Sequence, residues 1–405
     1  MILFFWICVS IVIYTFLGYG AVLYFLLKIK RIFKVNIETL DQQQVPLPSC
    51  SVLIAAYNEE AFIRQKISNT LGLSYPPDQL KIFIVADGST DKTTEIIKDY
   101  PEINLLYTHS RKGKVHAINR AMQFITSDIV VFTDANTFLN KEALLNICKN
   151  YANPKVGGVA GEKRIYIDKE ADASTAGENM YWQYESKLKQ WDSELNTAIG
   201  AAGELFSIRR DLYESVPECT ILDDFIISMK IATKGYRIVY EPMAYAVETS
   251  SSSIHEELKR KVRIAAGGIQ SIIALRSLLN PFIHPLLTFQ YISHRVLRWS
   301  ITPFLLVLVL ILNFLIVLFT TTSSPIYLYL LTAQIIFYSL AILGLILEKK
   351  KLKFKLAFIP YYFCIMNYSI IAGIFRYWKK EQSAVWDKAI RREELEGAII
   401  TLDQE

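Results

Sequence analysis

Asp128-Ile129-Val130-Val131-Phe132-Thr133-Asp134-Ala135-Asn136 is the stretch on which the fold turns, because a hydrophobic run stops there on a carboxylate. Ile129 to Phe132 read as a buried strand. The run is short, β-branched and aromatic, and no 3.6-residue stripe continues through it, which points to a parallel sheet rather than a core helix. Asp134 then falls just past the carboxyl end of the strand, the edge where ligands bind in open α/β sheets. With Asn136 it offers a hard cation one charged and one neutral oxygen. The same residues also make an ordinary turn, since Asp and Asn are common turn formers; both readings stand on these residues alone.

Upstream, the chain repeats a rhythm of strand, acid-bearing turn and helix. Ser51 to Ala56 read as a first strand ending in Tyr57-Asn58-Glu59-Glu60, with a helix to about Leu71. After Pro76 and Pro77, Lys81 to Ala86 form a second strand. It ends in Asp87-Gly88-Ser89-Thr90-Asp91, where Ser89 or Thr90 caps a helix over Lys92 to Asp99. A third strand, Asn104 to Tyr107, leads to Arg111-Lys112-Gly113-Lys114 and a helix from His116 to Gln123. This is βαβ order, and the opening stretch is its fourth strand.

The two ends of the chain read differently. Of 405 residues, 52% are hydrophobic, and residues 1–27 carry no charged side chain. That run exceeds the roughly 20 residues needed to cross a bilayer. It lacks the basic start and cleavage site of a secretory signal, so it reads as a retained anchor. Ile301 to Thr320 and Pro325 to Leu347 look similar, and Leu356 to Phe375 is a fourth run interrupted by Pro360 and Asn367. The net charge of +5 is concentrated beside these runs, in Lys28, Lys30, Arg31, Lys34, Arg295, Arg298 and the lysines from Lys349 to Lys355. The remainder is slightly acidic, which suits membrane orientation and excludes a nucleic-acid surface. Tyr19, Tyr24, Trp299, Tyr327, Tyr361, Tyr362 and Trp378 suit the aromatic belts of a bilayer. Cys8, Cys50, Cys148, Cys219 and Cys364 show no paired spacing, so neither a disulfide framework nor a zinc site is expected.

Four motifs together carry a resemblance. Ala-Ala-Tyr-Asn-Glu-Glu (55–60), Val-Ala-Asp-Gly-Ser-Thr-Asp (85–91), Arg-Lys-Gly-Lys-x-x-Ala-x-Asn (111–119) and Thr-Asp-Ala-Asn (133–136) resemble, in this order, family-two inverting glycosyltransferases. The type is that related to cellulose, hyaluronan and poly-N-acetylglucosamine synthases. The resemblance implies an α/β glycosyltransferase A-type domain with a Rossmann-like mixed sheet, cytoplasmic, plus transmembrane α-helices. The expected order is a transmembrane helix over 1–28 and the glycosyltransferase domain over 36–265, with a nucleotide-sugar half (49–137) and an acceptor half (138–265). Interfacial helices (266–299), a transmembrane region (300–376) and a polar tail (377–405) follow. By resemblance, Ala56, Tyr57 and Glu59 hold the nucleoside, Asp87 the uracil or ribose, and Lys114 the base or phosphate. Asp134 and Asn136 resemble the metal-binding Asp-x-Asp, with Asn in place of the second acid. Taken singly, the same residues read as a turn, a helix cap and solvated charge.

In the second half, Gly157 to Glu162 read as strand and turn, and Glu178 to Glu194 as a helix carrying Tyr181, Trp182, Tyr184, Leu188 and Trp191. Those side chains form either a core stripe or a sugar-stacking surface. Gly200 to Arg210 resembles the family's small-residue loop near the acceptor, which assigns Gly203 and Glu204 to acceptor binding. Leu222-Asp223-Asp224-Phe225 opens an amphipathic helix stopped by Gly235. Two acids at a helix start complement its dipole. By resemblance to the family's Glu-Asp, Asp224 is the general base and Asp223 its neighbour. Arg260, Arg263 and Ile264 fall where processive members carry Gln-x-x-Arg-Trp. The two arginines are either a basic membrane flank or contacts to the departing diphosphate.

Ser271 to Arg298 reads as interfacial helices. Four spans put the basic tail outside, against the positive-inside tendency, yet Glu381 to Trp386 with Arg391 resembles a tail that lies on the active-site side. Either Leu356 to Phe375 is re-entrant or the charge rule fails. The expected activity is an inverting hexosyl or N-acetylhexosaminyl transfer from a UDP-sugar with Mg²⁺ or Mn²⁺, building a β-linked polysaccharide at the cell (inner) membrane. The acceptor is a glycan or a lipid-linked sugar. Alternatives are single addition to a lipid-linked acceptor and a non-catalytic scaffold. The sequence does not fix a subunit count.

Overall fold

Short β-branched runs become the parallel core of a sheet, as their pattern requires. β1 (Cys50–Ala56), β2 (Leu80–Asp87), β3 (Ile103–Thr108) and β4 (Ile129–Asp134) come first, followed by β5 (Thr137–Leu139), β6 (Val156–Tyr166), β7 (Phe206–Arg209) and β8 (Arg237–Thr249). The computed structural model describes residues 1–33, 46–166, 173–249, 254–320, 324–350 and 354–380. Its sheet has eight strands in the order β3-β2-β1-β4-β7-β6-β8-β5. β1 runs parallel to β2 and β4, and β2 to β3. β7 runs antiparallel to β4 and β6, while β8 is parallel to β6 and antiparallel to β5. The expected mixed α/β sheet is therefore present.

Both faces of the parallel part are covered, which is why its strands read as unbroken apolar runs. All seven residues of β1 are buried. Val52, Ile54, Ile82, Ile84, Ile129 and Val131 pack with Ile63 and Ile67 of the helix Ile63–Leu71 and with Leu144 and Ile147 of the helix Ala143–Cys148. The strand order reverses at β1 and β4, so the crevice outside their carboxyl ends is the expected ligand position. Ala55 pairs with Asp134 and Ala56 with Ala86, which brings the ends of β1, β2 and β4 level. Phe132 pairs with Phe206, their rings stacked 4.5 Å apart, so the loop before β7 arrives at the same edge.

Three local expectations are corrected. Asp134 is the last residue of β4, not the first beyond it. Gly157 to Glu162 contain no turn, and β6 continues through them to Tyr166. Their small size makes room for neighbours: a Cβ on Gly161 would stand 2.6 Å from Leu205 Cδ2. The helix after β2, Thr93–Lys98, is capped by neither Ser89 nor Thr90. Asp91 Oδ1 accepts the Thr93 N–H instead, at 3.0 Å.

The described residues fall into two compact units, one drawn from residues 26–33, 46–166 and 182–249, the other from 1–25, 173–181 and 254–380. Among the described residues, four helices are long and apolar enough to cross a membrane: Ile2–Phe33, Thr302–Phe319, Pro325–Glu348 and Leu356–Trp378. The last lies in an unbroken helix, Lys355–Trp378, that contains Pro360 close to its start, where few intrahelical hydrogen bonds precede the ring. No re-entrant turn interrupts it. The region expected to be interfacial comprises the end of the helix Ile254–Ala274 and short helical pieces from Arg276 to Trp299. Phe282 there is 93% exposed. The tail reading over Glu381 to Trp386 with Arg391 falls outside the described residues.

Candidate active site

Two loops that leave β1 and β2 are laced together. Asn58, with φ of 52°, turns the chain in the left-handed region that Asn tolerates better than most residues. Its Oδ1 accepts the Thr90 N–H at 2.8 Å, and its own N–H donates to Ser89 Oγ at 3.1 Å. Glu59 N–H donates to Thr93 Oγ1, and Glu60 N–H to Asp91 Oδ2. Asp87, buried at the end of β2, accepts the Gly113 N–H at 2.6 Å and the Lys112 N–H at 3.0 Å, fixing the basic loop from below. Arg111 lies over the half-buried Tyr57 ring, 3.7 Å from its centroid. Ala56, Tyr57, Glu59 and Asp87 thus share one edge of the sheet.

Beside these loops stands a charged centre. Lys114, first residue of the helix Lys114–Ala121, donates to Asp134 Oδ1 at 2.7 Å. A methyl group placed on Gly203 would stand 3.3 Å from Lys114 Nζ, 3.5 Å from Asp224 Oδ2 and 3.7 Å from Asp134 Oδ2, so these groups surround one small space. The chain reaches it through Gly200, whose φ is +83° and whose missing Cβ is replaced by the Phe225 ring. Ser228 Oγ accepts the Ala201 N–H at 3.0 Å and ties that loop to the helix Asp223–Thr233.

Asp224 Oδ1 accepts the N–H of Phe225 at 2.8 Å. Burial and then the Asp223 carboxylate lift Asp224 to about 7, against the opposing pull of Lys114 and the Phe225 N–H. Asp223 is buried, and its carboxylate makes no hydrogen bond among the described residues. Burial works against charge on Lys114, but Asp134, Asp223 and Asp224 overcome it and hold the ammonium well above the usual lysine range.

Among the described residues no three His, Cys, Asp or Glu side chains cluster as a ready metal cage. Asp134 Oδ2 and the half-buried Asn136 amide make no hydrogen bond among the described residues and remain available as oxygen donors. This donor set fits a hard divalent cation that keeps water and takes its other ligands from a diphosphate.

Other expectations meet a different geometry. The Glu204 carboxylate pairs with the buried Lys163, which also binds Glu248 at 2.7 Å and lies 4.8 Å from the Trp182 ring. Arg260 pairs with Glu257 through two contacts of 3.0 and 3.1 Å, and with Arg263 it belongs to the second compact unit. The helix Ala173–Leu195 does not bury its aromatics as a core stripe. Trp182, Tyr184 and Trp191 keep solvent exposure, and its buried face carries Glu185, Leu188, Lys189 and Asp192, spaced i, i+3, i+4, i+7. The Tyr181 side chain lies outside the described residues.

Residues 51–216 match the family described as Glycosyl transferase family 2. The chain is 28% identical over 264 residues to the poly-β-1,6-N-acetyl-D-glucosamine synthase of Staphylococcus epidermidis, covering 63% of this chain and 62% of that protein. It is 28% identical over 237 residues to the synthase of the same name from Staphylococcus aureus, covering 56% of each. The chain therefore spans about six-tenths of the length of the curated relatives it matches. A mannosyltransferase from Pyrobaculum calidifontis, solved with GDP-mannose and Mn²⁺, shares the fold. Its TM-score is 0.69 at 23% identity, over 93% of this chain and 99% of that one. The glycosyltransferase A-type fold that contains the matching segment is thus shared with a solved structure.

Sequence reasoning missed Lys66. It is wholly buried, and its Nζ donates to Thr133 Oγ1 at 2.9 Å and to the Thr137 carbonyl at 2.7 Å. The signal was present, since Ile63, Lys66, Ile67 and Thr70 are the inward positions of one amphipathic helix.

Proposed function

We propose that this chain is a membrane-integrated inverting glycosyltransferase that moves a hexosyl or N-acetylhexosaminyl group from a UDP-sugar onto a glycan acceptor, extending a β-linked cell-surface polysaccharide. The observation that carries the reading is the convergence of Asp134, Lys114 and Asp224 on the space beside Gly203. The family-two match over residues 51–216 and the named synthases support it. The basic flanks of the apolar helices support a catalytic domain on the cytoplasmic side of the cell membrane.

In this reading Tyr57 and Asp87 belong to the wall that receives the nucleoside, and Lys114 stands where negative charge gathers on the diphosphate. The acceptor oxygen bonds to the anomeric carbon while the bond from that carbon to the phosphate oxygen breaks, and the UDP departs with the electron pair. Asp224 takes the hydroxyl proton. A group titrating at about 7 is suited to that work at neutral pH. Asp134 and Asn136 would hold Mg²⁺ or Mn²⁺, which when bound neutralises charge on the leaving diphosphate. Attack from the face opposite the diphosphate gives inversion.

The test incubates the detergent-purified chain with a panel of UDP-sugars and Mg²⁺ or Mn²⁺, and measures UDP release together with product length. UDP release with a polymer is expected. No release from any donor overturns the reading. A second reading, single addition to a lipid-linked acceptor, is favoured by Ile264 standing where processive relatives carry Trp. One-sugar products formed only with added lipid acceptor would select it.

A further inference from the structure

Resting on the site reading above, we infer that Lys66 is a positioning residue that sets the direction of the Asp134 and Asn136 oxygens from beneath the sheet edge. Its ammonium spans the two ends of the turn that carries them, bonding the Thr133 hydroxyl at the end of β4 and the Thr137 carbonyl at the start of β5. The same knot reaches further. Thr133 and Thr137 hydroxyls lie 3.0 Å apart, Thr137 Oγ1 donates to the Asp134 carbonyl at 3.0 Å, and Thr133 Oγ1 donates to the Glu204 carbonyl at 2.9 Å. One buried amine therefore couples the helix Ile63–Leu71, the Asp134 turn and the loop that brings Gly203 to the charged centre.

The choice of lysine is what makes the arrangement informative. A fully buried ammonium is costly in a protein interior, and a leucine or methionine at this inward position would pack without that cost. Lys66 has no carboxylate within ion-pair distance among the described residues. Burial draws it down to about 7, with Asp134 pulling the other way. Its neutral partners are all atoms of the turn itself. The bonds go to Thr133 and Thr137, the residues that flank Asp134 and Asn136 in the chain, so they act on the ligating side chains through the backbone that carries them; loss of supports to a ligand typically weakens metal affinity by about 10- to 100-fold.

The experiment is isothermal titration of the full-length, detergent-purified chain with UDP, once with Mn²⁺ and once with EDTA, alongside thermal unfolding. Lys66→Met is expected to weaken UDP binding about tenfold or more in Mn²⁺ and to leave binding in EDTA unchanged. In an Asp134→Ala background the same change is expected to add no further loss, because coupled residues are not additive. Thr133→Val keeps the lysine and removes the hydroxyl between it and the Glu204 carbonyl. It is expected to give a smaller loss of the same Mn²⁺-selective kind, and it carries the test if Lys66→Met fails to fold. Equal weakening with and without Mn²⁺, or none in a folded variant, overturns the inference while the site reading stands. A wild-type chain that binds no UDP under either condition overturns both.

Discussion

The laced loops and the charged centre lie at one sheet edge but solve opposite problems. Around Asn58 and Asp87, polar groups are bonded to one another: carboxylates accept backbone N–H groups and the two loops close like a zip. Around Gly203, Asp223 makes no hydrogen bond among the described residues, Asp224 is pushed towards neutrality, and Lys114 answers three carboxylates. The first region is stable and shaped before a ligand arrives. The second stores electrostatic cost, which is what a site that must handle a proton and a diphosphate requires.

The contrast breaks most visibly at Asp224. Asp224→Asn is expected to lower turnover by about 10²- to 10⁴-fold, measured as UDP release with saturating donor. Retention of more than about a tenth of wild-type turnover would remove Asp224 from the base role.

The pH dependence sharpens it. Because Asp224 must be ionised to accept a proton, kcat/KM is expected to fall about tenfold per unit below pH 7 and to level off above. Stability runs the other way. A carboxyl raised in the folded chain binds its proton more tightly there than when unfolded, so its contribution declines as pH rises from about 4 to about 7. Asp224→Asn should therefore melt no lower than wild type at pH 8. A variant that melts several degrees lower would show that the centre is held together by Asp224 rather than strained by it.

The smallest effect on turnover, with a clear effect on folding, belongs to the loops. Asp87→Ala leaves the N–H groups of Lys112 and Gly113 without their acceptor, at a cost of about 1–3 kcal/mol for each donor that stays buried. A fall in melting temperature with weaker UDP binding is expected. An unchanged melting curve would place Asp87 with the charged centre instead.

The parallel core was legible because strands buried on both faces leave unbroken apolar runs, as β1 and β4 do. Asp134 and Asp224 were legible because each ends or begins an element in a recognisable pattern. β6 was misread at Gly157 to Gly161, where glycine makes space for Leu205 and other neighbours instead of turning the chain. The Lys163, Glu204 and Glu248 cluster joins β6, a loop and β8, and nothing local announces such a meeting. Lys66 lay in plain view at an inward helical position, but a lone lysine in a polar-looking helix is read as solvent-facing until its partners are seen.

The far edge of the sheet sets an order for synthesis. β5 leaves β4 directly, yet its partner is β8, through Ala246, Val247 and Glu248. As the chain emerges from the ribosome, Thr137 to Leu139 wait unpaired while β6 and β7 are made. The domain closes only when β8 has been translated, by which time the apolar helix Ile2–Phe33 has long been available to the insertion machinery. Pairings so distant along the chain make for slow folding. Chains truncated before Arg237 and after Thr249 are expected to differ sharply in the protease resistance of this domain once released from the ribosome.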